Sequence, residues 1–161
     1  GSCVTTYILG IGDRHLDNIM ITTRGQLFHI DFGFVFGKDP KPLPSPFRLT
    51  REMAVAIGGE NYQSSDNFNR FKTYCFQSYN WLRKSSNLIM NLLSLLNDDT
   101  IKSGGASMAV PDVLKGVEDR LMLHLSEEEA EMHFQSLIDS AINALMPQIV
   151  ELAHILAMKM K

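Results

Sequence analysis

Glycine and proline crowd the stretch between Asp31 and Pro46, and they constrain the fold more than any other feature of the chain. The six residues are Gly33, Gly37, Pro40, Pro42, Pro44 and Pro46. Proline lacks the amide hydrogen that helices and central strands use, and it favours extended backbone in the residue before it. We therefore expect a long irregular segment here, and long loops inside compact domains usually carry function.

The sequence just before this segment predicts a β-hairpin. NIMIT (residues 18–22) and QLFHI (residues 26–30) are short, β-prone runs separated by Thr23-Arg24-Gly25. A glycine-containing turn between two such runs is typical of paired strands. Upstream, Gly10 and Gly12 interrupt an apolar run and predict a loop over residues 11–18.

Helical patterns dominate the rest of the chain. Thr50 can cap a first helix, and a long helix is expected over residues 65–84 because large side chains recur there close to every 3.6 residues. Residues 87–97 are apolar on nearly every side and predict a buried helix.

Two further helices carry start signals. Pro111 suits the first turn of a helix that runs to about Leu121. Ser126 and Glu129 have the spacing of a capping box before a helix to Leu145.

Composition excludes several classes of protein. The 161 residues are 45% hydrophobic with a formal charge of −3, which suits one globular domain with a core. No apolar run reaches the roughly 18–20 residues of a membrane span, and no secretory signal opens the chain. Two cysteines suit a reducing compartment. A dedicated nucleic-acid binder would usually be basic, so we expect no nucleic-acid partner.

Polar groups at both ends of the predicted hairpin can bind one cation. Asn18 offers an amide oxygen and Asp31 a carboxylate. Magnesium takes such hard oxygen ligands, few of them from protein, and completes its octahedron with phosphates and water. Asp13, Arg14 and His15 precede the hairpin, where they can accept a proton or contact a phosphate. An unperturbed histidine titrates at about pH 6.5, so it can act as a base in the cell.

Protein kinases have a similar order of groups, in which the catalytic loop H-R-D-x-x-x-x-N is followed by a hairpin and D-F-G. Here Asp13 also stands five positions before Asn18, but the tripeptide is Asp-Arg-His. GDRHLDN followed by LFHIDFG resembles the catalytic core of the phosphatidylinositol 3-kinases and their relatives. GKDPKPLP and the helical tail resemble the class III branch of that family.

The resemblance implies a mainly helical α+β fold with a small β-hairpin, namely the carboxyl-terminal lobe of a phosphatidylinositol 3-/4-kinase-type catalytic domain. It divides the chain into a catalytic loop (10–18), the β-hairpin (18–30), an activation loop (31–53), a helical body (50–146) and a terminal helix (147–161). It also implies that the amino-terminal lobe, with its phosphate loop and lysine-bearing strand, is absent. The chain alone is therefore expected to be inactive.

The resemblance also assigns roles in an ATP-dependent transfer to the inositol 3-hydroxyl. His15 is implied as the general base, with Asp13 either orienting it or taking the proton itself, and with Arg14 as the third catalytic residue. Asn18 and Asp31 are implied as ligands of Mg²⁺, with Mn²⁺ as the alternative.

ATP and the lipid are implied to contact further residues. Met20 and Ile30 would form an apolar floor under adenine, beside Asp31. Lys38, Lys41 and Arg48 would contact the lipid headgroup. Residues 34–53 carry a net charge of +2, which is low for a polyphosphorylated inositide, so unphosphorylated phosphatidylinositol is the expected substrate.

Other interpretations stay open. A lone Asp-Arg-His is more often a surface ion pair, and His29 is expected to be structural. The chain could instead be a non-catalytic, pseudokinase-like lobe that binds partners, although such a lobe would usually lose Asp31, Asn18 or His15. It could also be a protein kinase of the phosphatidylinositol 3-kinase-related group, which shares Asp-Arg-His.

The segment PQIVELAHILAMKMK predicts an amphipathic last helix, which either packs on the lobe or contacts a membrane. In the second case its apolar stripe enters the bilayer interface and two lysines meet anionic headgroups; these residues are Ile149, Leu152, Leu156, Met160, Lys159 and Lys161. The implied partners are phosphatidylinositol in membranes, the rest of the same enzyme and regulatory protein subunits. The implied location is cytoplasmic, at the surface of endosomal or autophagic membranes.

Overall fold

The computed structural model describes residues 1–41, 44–96 and 109–143. These ranges contain one two-stranded sheet, six α-helices and two short 3₁₀ helices, Leu16–Asn18 and Tyr62–Ser64. The strands are β1 (Ile19–Ile21) and β2 (Leu27–His29), and the helices are α1 (Ser2–Ile8), α2 (Arg51–Gly58), α3 (Asp66–Lys84), α4 (Ser86–Ser94), α5 (Val110–Leu121) and α6 (Glu127–Asn143). The predicted α+β domain, mainly helical with one small hairpin, is confirmed.

The hairpin has the predicted antiparallel pairing, with Met20 opposite Phe28 at its centre. Gly25 takes a left-handed φ of 78° at the turn, where its amide donates to the Thr22 carbonyl oxygen at 2.9 Å. Such a φ strains any residue with a side chain, which is why glycine stands there. The Ile30 amide donates to the Asn18 carbonyl oxygen at 3.0 Å and extends the ladder toward the loop before β1.

The predicted helix starts are confirmed by their hydrogen bonds. The Thr50 hydroxyl accepts from the Met53 amide at 3.3 Å. The Ser126 amide donates to a Glu129 carboxylate oxygen at 2.8 Å, and the Glu129 amide donates back to the Ser126 hydroxyl at 3.1 Å. Pro111 lies in the first turn of α5, where a missing amide hydrogen costs nothing.

An aromatic cluster forms the centre of the core. Tyr7 of α1, Phe47 directly after the irregular segment, Tyr79 of α3 and Phe134 of α6 are buried, with ring centroids 4.8–6.5 Å apart in the contacting pairs. Aromatic pairs in such geometries contribute about 0.5–1.5 kcal/mol each beyond the burial of their area. The cluster therefore joins three helices to the segment that glycine and proline keep irregular.

The prediction that residues 87–97 form a buried helix is wrong in two respects. The helix α4 ends at Ser94, and none of its residues is fully buried. Leu88 and Leu92 are 62% and 59% exposed, whereas Ile89 and Leu93 pack against the core. The helix is apolar on most sides, but it packs against α3 and α5 along only one of them. Composition does not say which side of a helix a neighbour covers.

The last part of the predicted helical body, the terminal helix and all six residues proposed to contact a membrane lie outside the described residues. They are residues 144–146 and 147–161, with Ile149, Leu152, Leu156, Met160, Lys159 and Lys161. Within the described ranges, no helix combines the length and the hydrophobicity that crossing a bilayer requires.

Arg83 holds the turn between α5 and α6. This buried side chain on α3 donates to the carbonyl oxygens of Leu121 and Met122 at 3.0 Å each, and it also reaches the carbonyl oxygens of Leu125 and Ser126. The turn needs these donors because Met122 adopts a left-handed φ of 46°, which ends the helix and leaves carbonyl groups without helical partners.

We expect Arg83→Met to destabilise this turn by at least about 3 kcal/mol, because several buried carbonyl groups would lose their donor. Faster amide exchange of residues 121–126 in the full-length protein measures the effect. Arg70→Met, on an exposed part of the same helix, is the control and should leave that exchange unchanged. Equal exchange in the two variants would contradict the role given to Arg83.

Candidate functional site

Arg14 is the centre of the candidate site, although its side chain is only 6% exposed. Its guanidinium donates to the carbonyl oxygens of Gly12, Ile30 and Asp31, and the distance to Ile30 is 3.3 Å. It also lies over the Phe32 ring, 5.6 Å from the centroid. These contacts tie the loop before β1 to the residues after β2, so the structure gives Arg14 a positioning role.

Asp13, His15 and Asn18 lie together on this loop. The Asn18 side-chain amide donates to the Asp13 carbonyl oxygen at 2.9 Å and approaches the Asp13 carboxylate at 3.4 Å. His15 Nε2 lies 3.6 Å from Asp13 Oδ2, and its Nδ1 lies 3.8 Å from Asp17 Oδ2. The imidazole is therefore flanked by two carboxylates and remains about one-third exposed.

Asp31 follows directly after the hairpin, across from Asn18. Its carbonyl oxygen accepts from Arg14, and its carboxylate accepts from the Gly33 amide at 3.0 Å. Because Asn18 pairs with Ile30 through the hairpin backbone, Asp31 lies one residue beyond the Asn18 position. The hairpin and Arg14 thus bring together the two ends of the sequence motif.

The predicted activation loop, here called the activation segment, is described over residues 31–41 and 44–53, and its first part crosses the predicted catalytic loop (10–18) through backbone hydrogen bonds. The Gly12 amide donates to Phe34 O at 2.8 Å, and the Gly37 amide donates to Gly10 O at 2.7 Å. Asp39 adds a side-chain link, since its carboxylate accepts from the Asp13 amide at 3.0 Å. These bonds satisfy backbone groups that no helix or strand could satisfy here.

The cationic residues of this segment lie in different surroundings. Lys38 lies against the catalytic loop, because a Cβ on Gly12 would overlap its carbonyl oxygen. The Lys41 amide donates to Asp39 at 2.9 Å. Arg48 lies near Glu52 at the start of α2. The pKa of Glu52 is below its ordinary value, mainly because its own backbone amide and the Thr50 hydroxyl bind the carboxylate; nearby arginines contribute less. The proposed contact of Lys38, Lys41 and Arg48 with substrate stays a prediction.

Met20 and Ile30 are partly exposed on one face of the hairpin, together with Phe28. Side chains alternate along a strand, so residues opposite one another share a face. His29 points to the other face, and its pKa is lowered first by burial and then by the positive charge of Arg14. A neutral imidazole near a buried guanidinium suits the structural role expected for His29.

Sequence reasoning missed Asp39 and Arg120. Asp39 precedes Pro40, and an Asp-Pro pair often begins a turn, so that signal was present. Arg120 lies on α5, and its guanidinium donates to the Ile8 carbonyl oxygen at 3.3 Å, beside the catalytic loop. No local pattern in the sequence marks it, because the contact spans more than a hundred residues.

Comparisons with known proteins agree with the motif. Residues 1–103 match the family described as phosphatidylinositol 3- and 4-kinase. The chain is similar to phosphatidylinositol 3-kinase VPS34 of Arabidopsis thaliana, with 48% identity over 96% of this chain and 18% of that protein. It is also similar to phosphatidylinositol 3-kinase VPS34 of Saccharomyces cerevisiae, with 43% identity over 98% of this chain and 17% of that protein.

A third relative is the root isoform of phosphatidylinositol 3-kinase from Glycine max, with 48% identity over 96% of this chain and 18% of the relative. The chain therefore spans less than a fifth of the length of these relatives.

We expect Gly12→Ala to push the activation segment away from the catalytic loop, because the new methyl group would overlap the Lys38 carbonyl oxygen. Overpacking of this kind typically costs about 1–3 kcal/mol. Amide exchange of residues 34–41 in the full-length protein should accelerate. Gly25→Ala is the control: it adds strain at a left-handed φ but meets open space, so it should leave residues 34–41 unchanged. Unaltered exchange in Gly12→Ala would contradict the contact.

Proposed function

Since the chain belongs to the phosphatidylinositol 3- and 4-kinase family, we propose that it is the catalytic-loop lobe of a lipid kinase that transfers the γ-phosphate of ATP to the 3-hydroxyl of phosphatidylinositol. One observation carries the proposal. The Asn18 amide donates to Asp13 while Arg14 binds the backbone at Asp31, so that a base candidate and two cation-ligand candidates occupy one connected unit. The three relatives described above are all named phosphatidylinositol 3-kinases, which supports the 3-hydroxyl as the acceptor.

The donor set of the site fits a hard divalent cation. The Asn18 Nδ2 group donates to Asp13, which leaves the side-chain oxygen as the atom that can bind a cation. Asp31 supplies an exposed carboxylate. Within the described ranges, no group of three or more His, Cys, Asp or Glu residues could hold a metal alone. Two protein oxygens completed by phosphates and water suit Mg²⁺, with Mn²⁺ as the alternative. Such a cation, when bound, neutralises charge on the triphosphate during transfer.

The exposed face of the hairpin suits the adenine ring. Met20, Phe28 and Ile30 form an apolar surface next to Asp31. Burial of such a surface by a planar base is favourable at about 25 cal/mol per Å² of apolar area removed from water. We propose that this surface is the floor of the nucleotide site.

His15 is the proposed acceptor of the hydroxyl proton. Its imidazole is partly exposed, so a substrate hydroxyl can approach it, and the carboxylates of Asp13 and Asp17 flank it. Asp13 is the second candidate for the base, because its carboxylate lies beside both His15 and Asn18.

Lys38, Lys41 and Arg48 are the proposed contacts for the inositol headgroup. Lys38 lies beside the catalytic loop, since its backbone packs against Gly12. Because the substrate is a bilayer lipid, we also propose that the full-length enzyme acts at the surface of endosomal or autophagic membranes together with regulatory protein subunits.

Two substitutions in the full-length protein test the catalytic roles separately. His15→Ala should lower kcat by about 10²–10⁴-fold and spare the affinity for ATP, because general-base catalysis acts only on the hydroxyl proton. Asp31→Ala should abolish transfer and weaken binding of the metal–nucleotide complex. Steady-state kinetics and nucleotide titration measure the two effects. His124→Ala, an exposed histidine on another part of the lobe, is the control and should behave as wild type.

Asp13→Asn decides between the two candidate bases. Asp13 has a left-handed φ of 50°, which asparagine tolerates well, so the loop should keep its conformation. If His15 is the base, Asp13→Asn should retain more activity than His15→Ala. The reverse order would assign the proton to Asp13.

We expect the full-length enzyme to prefer phosphatidylinositol over its 4,5-bisphosphate. The residues 34–53 carry a net charge of only +2, and each added phosphate needs matching cations to offset its lost hydration. Turnover on vesicles that contain one lipid or the other measures the preference. Faster turnover of the bisphosphate would refute the proposed headgroup specificity without affecting the proposed reaction.

A further inference from the structure

Arg120 reaches from the helical body to the catalytic loop. Its guanidinium donates to the carbonyl oxygen of Ile8, the last residue of α1, at 3.3 Å, and to Gly116 O on its own helix at 3.0 Å. The Tyr79 hydroxyl of α3 donates to the carbonyl oxygen of Arg120 at 2.7 Å. The residue is thus held at its backbone by α3 and at its side chain by α1 and α5. A cation that binds the last carbonyl groups of a helix is also favourable electrostatically.

The same guanidinium lies beside the two glycines at which the catalytic loop meets the activation segment. Gly10 and Gly37 both have left-handed φ values, 56° and 92°, and the Gly37 amide donates to Gly10 O at 2.7 Å. A Cβ on Gly10 would come within 2.6 Å of Arg120 Nη2, and a Cβ on Gly37 would overlap the same nitrogen. The Arg120 guanidinium therefore occupies the volume that side chains would otherwise fill, and both loops pack directly against it.

This contact differs from the one made by Arg14. Arg14 binds the backbone at Gly12, Ile30 and Asp31, and so holds the hairpin end that carries the proposed metal ligands. Arg120 packs against Gly10 and Gly37, three residues before Asp13 and one residue before Lys38. It sets the spacing between the loop with the proposed base and the segment with the proposed headgroup contacts.

We propose that Arg120 is a positioning residue for phosphoryl transfer, acting through the Gly10–Gly37 crossing to hold the catalytic loop against the activation segment. The inference rests on the proposed function and adds to it a residue outside the motif. Because the contact does not include Asn18 or Asp31, loss of Arg120 should impair transfer to lipid and leave the affinity for the nucleotide intact.

The first test compares substitutions of Arg120 in the full-length protein. Arg120→Met should lower kcat on phosphatidylinositol vesicles on the order of 10- to 100-fold, the scale expected when a remote change displaces reacting groups by about 1 Å. The KM for ATP should change by less than about twofold, since a role confined to positioning the loop does not reach the nucleotide site.

Arg120→Lys should recover part of the loss, because an ammonium can still donate to Ile8 O but lacks the planar group that packs between the glycines. Lys115→Met, at an exposed position of α5, is the matched control and should keep wild-type kinetics.

A double-mutant cycle tests the contact itself. Gly37→Ala introduces both backbone strain and an overlap with Arg120. Adding Arg120→Ala removes the overlap and leaves the strain. The effects of the two substitutions on kcat should therefore be less than additive, whereas additive effects would overturn the proposed contact.

Amide exchange separates this inference from the proposed function. If the wild-type protein phosphorylates no lipid, the proposed function fails, and exchange of residues 34–41 still reports on Arg120. Faster exchange there in Arg120→Met, with α3 and α5 unchanged, supports the positioning role. Unchanged exchange in residues 34–41 overturns it. Equal acceleration throughout α3, α5 and residues 34–41 also overturns it, because Arg120 would then hold the fold as a whole.

Discussion

The burial of the Arg14 guanidinium is the interaction on which the rest of the site depends. Moving a cation out of water costs several kcal/mol unless the protein supplies compensating partners. Three backbone carbonyl groups supply hydrogen bonds, and burial lowers the pKa of Arg14 while the carboxylates of Asp13, Asp31 and Asp39 oppose that shift. The three carbonyl groups belong to two segments that are separated by the hairpin. The guanidinium can bind all three carbonyl groups only when the loop and the end of the hairpin are in register, so this one side chain fixes the two ends of the motif relative to each other.

The helical body holds the two irregular segments at their outer ends. Tyr7, in α1, comes shortly before the catalytic loop, and Phe47 lies at the far end of the activation segment; both rings belong to the buried aromatic cluster. Between these anchors, backbone hydrogen bonds join the two segments to each other: the Gly12 amide donates to Phe34 O, and the Gly37 amide donates to Gly10 O. The aromatic core fixes the outer ends of the two segments, and backbone hydrogen bonds pair their middle parts. Together these contacts order a stretch of chain that glycine and proline keep out of helices and strands. Function is commonly carried by such segments when a rigid scaffold positions them.

The sequence predicted features that depend on nearby residues and missed those that depend on distant ones. The hairpin, the Thr50 cap and the Ser126–Glu129 box follow from patterns within a few residues, and hydrogen bonds confirm each of them. The exposure of α4 did not follow, because apolar composition does not identify the neighbour that covers each side. The contacts of Arg120 did not follow either, because they join residues far apart in the chain. For the motif itself, residue identities suggested the chemistry, whereas the positioning role of Arg14 became apparent only from its carbonyl partners.

Backbone conformation adds a reason why the motif needs this support. Asp13 and Asp31 both have left-handed φ values, 50° and 60°. Aspartate enters this region at a smaller cost than most residues with a side chain, but at a higher cost than glycine. Glycine would relieve that cost at either position, but it would remove a carboxylate that the proposed chemistry requires. Arg14 lies between these constraints, since it binds the carbonyl oxygen of Asp31 directly and that of Gly12 just before Asp13. The buried Arg14 guanidinium thus holds the backbone beside Asp13 and at Asp31, and it also lies close enough to attract their carboxylates electrostatically. The hydrogen bonds that Arg14 donates, and the attraction between its charge and the two carboxylates, offset part of the cost of local strain and of charge burial. These favourable interactions form only in the folded arrangement, in which Asp13, Asn18 and Asp31 belong to one connected unit.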